Sequence, residues 1–253
     1  MNYKKLEDWN SGMHDKILRR HPNGFTGAVI QGERGMGKST YAYKVMAKLY
    51  LTLGEYRSQE TGQITYVNNE DDAYKAALEH MIFSPDQLIR LIKYNIANDY
   101  ITPVICLDDA TVHFNSYKFF VDLDEVILLK GMFDTIRTAL TGLLMTCPKR
   151  RNLLSFLRDY DDLKIEIKMA PGMNHDRLAR CYQFNYYPDD RKYKVIIPFQ
   201  DKYSCYIPDK HFKPYMEKRK EYLELINDKI ERIMEEKEKR KKNKSFNPDA
   251  LPV

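Results

Sequence analysis

The run Gly32-Glu33-Arg34-Gly35-Met36-Gly37-Lys38-Ser39-Thr40 limits what this chain can fold into more than any other stretch. It fits G-x-x-x-x-G-K-[ST], a loop that binds phosphate. Upstream, Gly27-Ala28-Val29-Ile30 is apolar and reads as a buried strand. Downstream, residues 41–53 read as a helix, with Val45, Met46, Leu49 and Leu53 at helical spacing. Strand, glycine-rich turn and helix form the context that such a loop requires. The glycines let successive N–H groups turn inward, and the following helix adds unpaired N–H groups and a partial positive charge. Lys38 is placed to reach the β- and γ-phosphates of a nucleotide. Ser39 is placed to bind Mg2+, and Thr40 to touch the α-phosphate.

A second element fits the first. Pro103-Val104-Ile105-Cys106-Leu107-Asp108-Asp109 is an apolar run that ends in two carboxylates. Continuous apolar runs mark buried parallel strands, and ligands bind at the carboxyl ends of such strands. Asp108 then holds the Mg2+ water shell, and Asp109 orients or deprotonates an attacking water. The plainer reading is a strand that ends in a solvated acidic turn.

Together the two elements resemble the Walker A and Walker B motifs of P-loop ATPases. The form of the first resembles the additional-strand branch, which includes AAA+, RecA-like and translocase enzymes. Many of those enzymes carry Asp-Glu where this chain has Asp108-Asp109, so the base here is one methylene shorter. In the same families the next core strand ends in a polar residue that contacts the γ-phosphate or its water. Thr146, in Gly142-Leu143-Leu144-Met145-Thr146-Cys147-Pro148, is the matching position. It reads equally well as a threonine that caps a strand end.

The resemblance covers residues 25–150. It implies a three-layer α/β P-loop NTPase sandwich around a mainly parallel sheet, with ATP and Mg2+ as cofactors. No Asn-Lys-x-Asp guanine motif is present, which favours ATP over GTP. The layout, with 19 tyrosines and plentiful Lys, Ile and Glu, is similar to that of small ATPases of archaeal viruses and plasmids. That implies a DNA-directed enzyme working as a homo-oligomer in the host cytoplasm, in replication, packaging, partition or conjugation.

Bulk properties agree with a globular protein. Apolar residues make up 43% and charged residues 30% of 253 positions. The apolar runs fall well short of the ~20 residues that span a bilayer, so no membrane insertion is expected. The N-terminus lacks the apolar core of a signal peptide, which points to an intracellular protein. A net charge of +5 permits nucleic-acid binding without demanding it. Cys106, Cys147, Cys181 and Cys205 lack metal-site spacing. The first two read as core residues, and the latter two fall in a later β region, where the sequence leaves open whether they form a disulfide.

The chain divides on paper into a lead-in over 1–24, the ATPase core over 25–170 and a β-meander extension over 171–208. A charged helix over 209–245 and a disordered tail over 246–253 follow. Within the core, residues 63–67 read as a strand and 71–82 as a helix. Ser84-Pro85-Asp86-Gln87 opens another helix, an aromatic loop spans 114–120, and residues 122–141 read as a long helix. Leu163-Lys164-Ile165-Glu166-Ile167-Lys168-Met169 alternates as a half-exposed strand. Three strands without intervening helices then suggest the antiparallel meander, with Pro188-Asp189-Asp190-Arg191 as a turn. In the last helix Leu223, Ile226, Ile230 and Ile233 form a narrow seam, for its own domain or for a partner.

Cationic candidates for transition-state stabilisation are Arg137, Arg150, Arg151 and Arg158, with Arg34 inside the loop. Lys149-Arg150-Arg151 reads first as solvated, then as a DNA contact and last as a finger. Two other functions compete with the DNA-directed ATPase. One is an ATP-dependent switch or assembly protein with little hydrolysis. The other is a P-loop kinase, for which no arginine-rich lid is evident.

Overall fold

The apolar runs become parallel strands because both of their faces are covered. The structure, a computed structural model, describes residues 5–112, 123–159, 163–171, 175–187 and 192–245. In chain order it contains α1 (Gly12–Arg20), β1 (Thr26–Gln31), α2 (Lys38–Leu53), β2 (Glu55–Arg57), β3 (Ile64–Tyr66), α3 (Glu70–Glu79), β4 (Met81–Ile82) and α4 (Pro85–Ala97). There follow β5 (Thr102–Leu107), α5 (Leu123–Thr135), β6 (Leu140–Cys147), α6 (Ser155–Asp159), β7 (Leu163–Met169), β8 (Asp176–Tyr187), β9 (Lys192–Ile196), β10 (Gln200–Ser204) and α7 (Asp209–Ser245). The aromatic loop, the turn over 188–191 and the tail over 246–253 lie outside the described residues.

The main sheet has the order β10-β8-β7-β1-β6-β5-β4. Strands β7, β1, β6, β5 and β4 are parallel. The strand carrying Thr146, β6, therefore lies between the strand that feeds the glycine-rich loop and the strand that ends at Asp108. One face of this sheet buries Val29, Ile105, Leu107, Leu143 and Met145 against Leu88 of α4, Phe133 of α5 and Leu157 of α6. On the other face, Gly142 lets Ile17 of α1 pack onto the sheet, and the Tyr50 hydroxyl of α2 donates to Val104 O at 2.9 Å. Each fully buried large apolar side chain contributes roughly 1.5–3 kcal/mol relative to an exposed one. The result is three layers, helix on sheet on helix.

Local signals explain several boundaries. The Ser84 side chain accepts from Gln87 N while the Gln87 side chain accepts from Ser84 N, so α4 begins with a full capping box. Gly54 in left-handed geometry closes α2. The helix expected over 71–82 stops at Glu79, and Met81–Ile82 become the outermost parallel strand. The strand expected over 63–67 forms at Ile64–Tyr66, and among the described residues it pairs with β2 in a separate hairpin. The helix expected over 122–141 ends at Thr135, a short 3-10 turn follows, and β6 already begins at Leu140.

The expected meander is not the observed pairing. Strand β8 is twelve residues long and lies antiparallel to β7. Its first part pairs with β10 and its last part with β9, so both partners line up along one long strand. Pro198, which has no N–H to give to a ladder, lies between β9 and β10. All four cysteines are free thiols, Cys181 and Cys205 included.

The chain separates into two compact units, residues 1–211 and 212–253. In the first, Lys210 pairs with Asp71, and the His211 ring stacks on Tyr74 at 4.3 Å. The described residues of the second, 212–245, are the rest of α7. There Leu223 is exposed and Ile226 half-buried, whereas the side chains of Ile230 and Ile233 lie outside the described residues. Among the described residues no helix is long and apolar enough to cross a membrane.

Candidate functional site

The carboxyl ends of β1, β6 and β5 finish side by side. Ile30 is level with Thr146, and Leu107 with Met145. The residues that follow, Gly32 to Thr40 and Asp108-Asp109, therefore converge at one edge of the sheet. Gly35 and Gly37 take φ values of 78° and 87°, which glycine adopts without strain. Gly37 caps the start of α2, and Lys38, Ser39 and Thr40 form its first turn. The Lys38 ammonium donates to Gly32 O at 3.0 Å and Glu33 O at 2.8 Å, bracing the loop from within. Glu33 and Arg34 are exposed, and Met36 is half-buried.

A chain of hydrogen bonds links the other residues singled out in the sequence. The Ser39 hydroxyl donates to Asp108 Oδ1 at 2.6 Å, and the Thr146 hydroxyl donates to the same oxygen at 2.7 Å. Thr146 Oγ1 in turn accepts from Asp109 N at 2.8 Å. Asp108 and Thr146 are buried, while Asp109 is half-buried with φ 47°, a left-handed conformation that Asp tolerates better than most residues. The Thr146 hydroxyl thus gives its proton to Asp108 and holds the Asp109 backbone.

The donor set suits Mg2+. Two hard oxygen ligands, the Ser39 hydroxyl and the Asp108 carboxylate, already touch, and Mg2+ usually takes its remaining ligands from phosphates and water. Among the described residues no group of three or more His, Cys, Asp or Glu side chains converges to cage a metal.

The arginine candidates are dispersed. Arg137 is exposed, and the side chain of Arg158 lies outside the described residues. Arg150 and Arg151 line a cleft of about 470 Å³ with Lys149, Gly32, Glu33 and Glu166, beside the glycine-rich loop.

Sequence reasoning missed the support behind the loop. The Tyr203 hydroxyl donates to Gly37 O at 2.9 Å, and Cys205 Sγ lies 3.9 Å from Met36 O. Asp201 accepts from Ser11 Oγ, Gly12 N and Tyr41 OH at 2.6–2.8 Å, which ties α1 and α2 to β10. Burial, with the Asp201 carboxylate beside it, pushes the Tyr41 phenol well above its ordinary pKa. A Cβ at Gly37 would stand 2.3 Å from Cys205 Sγ. Gly37→Ala is therefore expected to cost about 2–4 kcal/mol, from left-handed strain plus overpacking. The measurement is the urea midpoint, and an unchanged midpoint would mean that the loop is not held as described.

No protein-family model matches the chain. It is 26% identical over 255 positions to an uncharacterised protein, B-251, of Sulfolobus spindle-shape virus 1, covering 98% of this chain and 93% of that protein. It is 25% identical over 130 positions to an uncharacterised protein, ORF286, of Acidianus two-tailed virus, covering 51% of this chain and 38% of that one. Among solved structures, it is similar to the genome packaging NTPase B204 of Sulfolobus turreted icosahedral virus 2 in complex with AMPPCP. That likeness has a TM-score of 0.34 and 11% identity, over 70% of this chain and 98% of the other. It is also similar to the KaiC-like protein PH0186 of Pyrococcus horikoshii, with a TM-score of 0.37 and 14% identity over 68% and 88% of the two chains. Strand order and the loop leading into α2 give the mainly parallel α/β sandwich expected from the sequence, and the relatives in sequence are proteins of archaeal viruses.

Proposed function

We propose that the chain is a Mg2+-dependent ATPase that acts on DNA for a virus or plasmid. The observation that carries this reading is the bond chain from Ser39 through Asp108 and Thr146 to the Asp109 backbone. It joins a hydroxyl and a carboxylate fit for a metal to a second carboxylate fit to direct a water. In this reading the N–H groups of residues 32–40 cradle the phosphates and Lys38 exchanges its loop carbonyls for phosphate oxygens. Ser39 and Asp108 would hold Mg2+, which when bound neutralises charge on the β- and γ-phosphates. Asp109 orients the attacking water and accepts its proton. Thr146 is a positioning residue, since its hydroxyl acts on Asp108 and on the Asp109 backbone. The run Lys149-Arg150-Arg151, in a cleft that Glu33 and Glu166 also line, and the net charge of +5 support a polyanionic partner.

The test is phosphate release from Mg·ATP by the purified chain, with and without single- and double-stranded DNA, and in excess EDTA. Release that DNA stimulates and EDTA abolishes is the expected result. Release indifferent to any DNA would keep the ATPase and remove the DNA. Tight ATP binding without release under any condition would favour a second reading, an ATP-ordered switch, which the short Asp109 side chain supports.

A further inference from the structure

A second cleft, of about 310 Å³, lies between the N-terminal segment and β10 and is lined by Leu6, Trp9, Lys44, Asp176, Lys202 and Tyr203. Lys44 follows Lys38 by six residues on α2, and its side chain is almost wholly buried. Its amine donates to Ser204 O at 2.7 Å. The nucleotide reading makes no use of this amine.

We propose that Lys44 is an acyl-acceptor site: the cleft admits a small acyl phosphate or acyl thioester, and the Lys44 amine takes its acyl group. Room is sufficient, because the cleft equals roughly ten times the ~30 Å³ that one water occupies in the liquid. Trp9 and Tyr203 give the cleft an apolar wall for the acyl chain. Lys202 at the rim offers a positive charge to an anionic donor, partly offset by Asp176, with which it pairs at 3.2 Å. Reactivity has a physical cause as well. Burial lowers the Lys44 pKa to about 8, with Cys205 and Glu70 acting weakly the other way. Near pH 8 a far larger share of this amine is therefore neutral than of an ordinary lysine. Only the neutral amine has the lone pair that attacks a carbonyl carbon.

With an acyl phosphate, Nζ bonds to the carbonyl carbon and the C–O bond to phosphate breaks. Phosphate leaves with the electron pair, and the surplus proton on nitrogen passes to solvent. The product amide keeps one N–H for Ser204 O but loses the positive charge. Ser204 adjoins Tyr203, whose hydroxyl holds Gly37 O, so the change is made next to the strut under the phosphate loop.

The proposal stands apart from nucleotide binding, and its test does too. The full chain is incubated with acetyl phosphate at pH 8, and acetylation is followed by peptide mass spectrometry at Lys44 and at Lys93, an exposed lysine of α4. Lys44 is expected to react about tenfold faster than Lys93 in the folded chain, with the difference in neutral fraction offset by restricted access. The advantage should vanish in concentrated urea, which opens the cleft. Equal rates in the folded chain, or an advantage that survives unfolding, would overturn the assignment.

Discussion

Lys38→Ala is expected to weaken Mg·ATP binding by about ten- to a hundredfold and to abolish measurable phosphate release. Two effects add. The ammonium no longer reaches the phosphates, and a charge-assisted hydrogen bond contributes roughly 1.5–3 kcal/mol. The loop also loses its internal brace, since Lys38 holds both Gly32 O and Glu33 O. Lys38→Arg separates the two: it keeps the charge but places a planar fork where a compact ammonium fits. Isothermal titration with a slowly hydrolysed ATP analogue gives the affinity, and a urea titration gives the stability. Affinity equal to that of the unaltered chain would place the nucleotide elsewhere and remove the functional reading.

At Asp109 the effect should fall on turnover rather than on binding. Asp109→Asn is expected to keep ATP affinity within about threefold while lowering phosphate release by roughly 10²–10⁴, the usual contribution of a general base. Asparagine is a better choice than alanine here. Asp109 has φ 47°, and Asn tolerates that conformation whereas Ala adds about 1–2 kcal/mol of strain. The Thr146 bond to the Asp109 N–H does not involve the side chain and should survive. Turnover equal to that of the unaltered chain would move the base to another carboxylate. The Glu70 carboxylate, at the start of α3, accepts from Leu6 N.

The parallel half of the sheet was legible because its strands are continuous apolar runs with polar ends. β1, β5 and β6 each show this, and burial on both faces leaves that mark. The glycine-rich turn between β1 and α2 was legible because its glycines stand at fixed spacing between an apolar run and a helical one. Shorter or longer-range features were not. Met81–Ile82 is two residues long and follows α3 after His80 alone, so periodicity could not separate it from the helix. Residues 64–66 did read as a strand, but nothing local says that they pair with β2 instead of joining the main sheet. The position of Thr146 was legible, whereas its bond to the Asp109 backbone needed the register of β6 against β5. Gln200-Asp201-Lys202-Tyr203-Ser204 looks like an ordinary alternating polar strand. That Asp201 gathers three donors and Tyr203 holds Gly37 follows only from the way β10 returns to β8.

That return has a consequence for how the protein comes into being. Gly37 and Tyr203 are 166 positions apart, so a contact that shapes the phosphate loop closes over most of the chain. Contacts of such long separation form late, because a large loop entropy must be overcome first. A nascent chain that has emerged only through β7 already carries Lys38, Ser39, Asp108, Asp109 and Thr146. It still lacks the strand that holds the loop's backbone. The support of that backbone by the Tyr203 hydroxyl then waits on the arrival of β10, well after the last parallel strand.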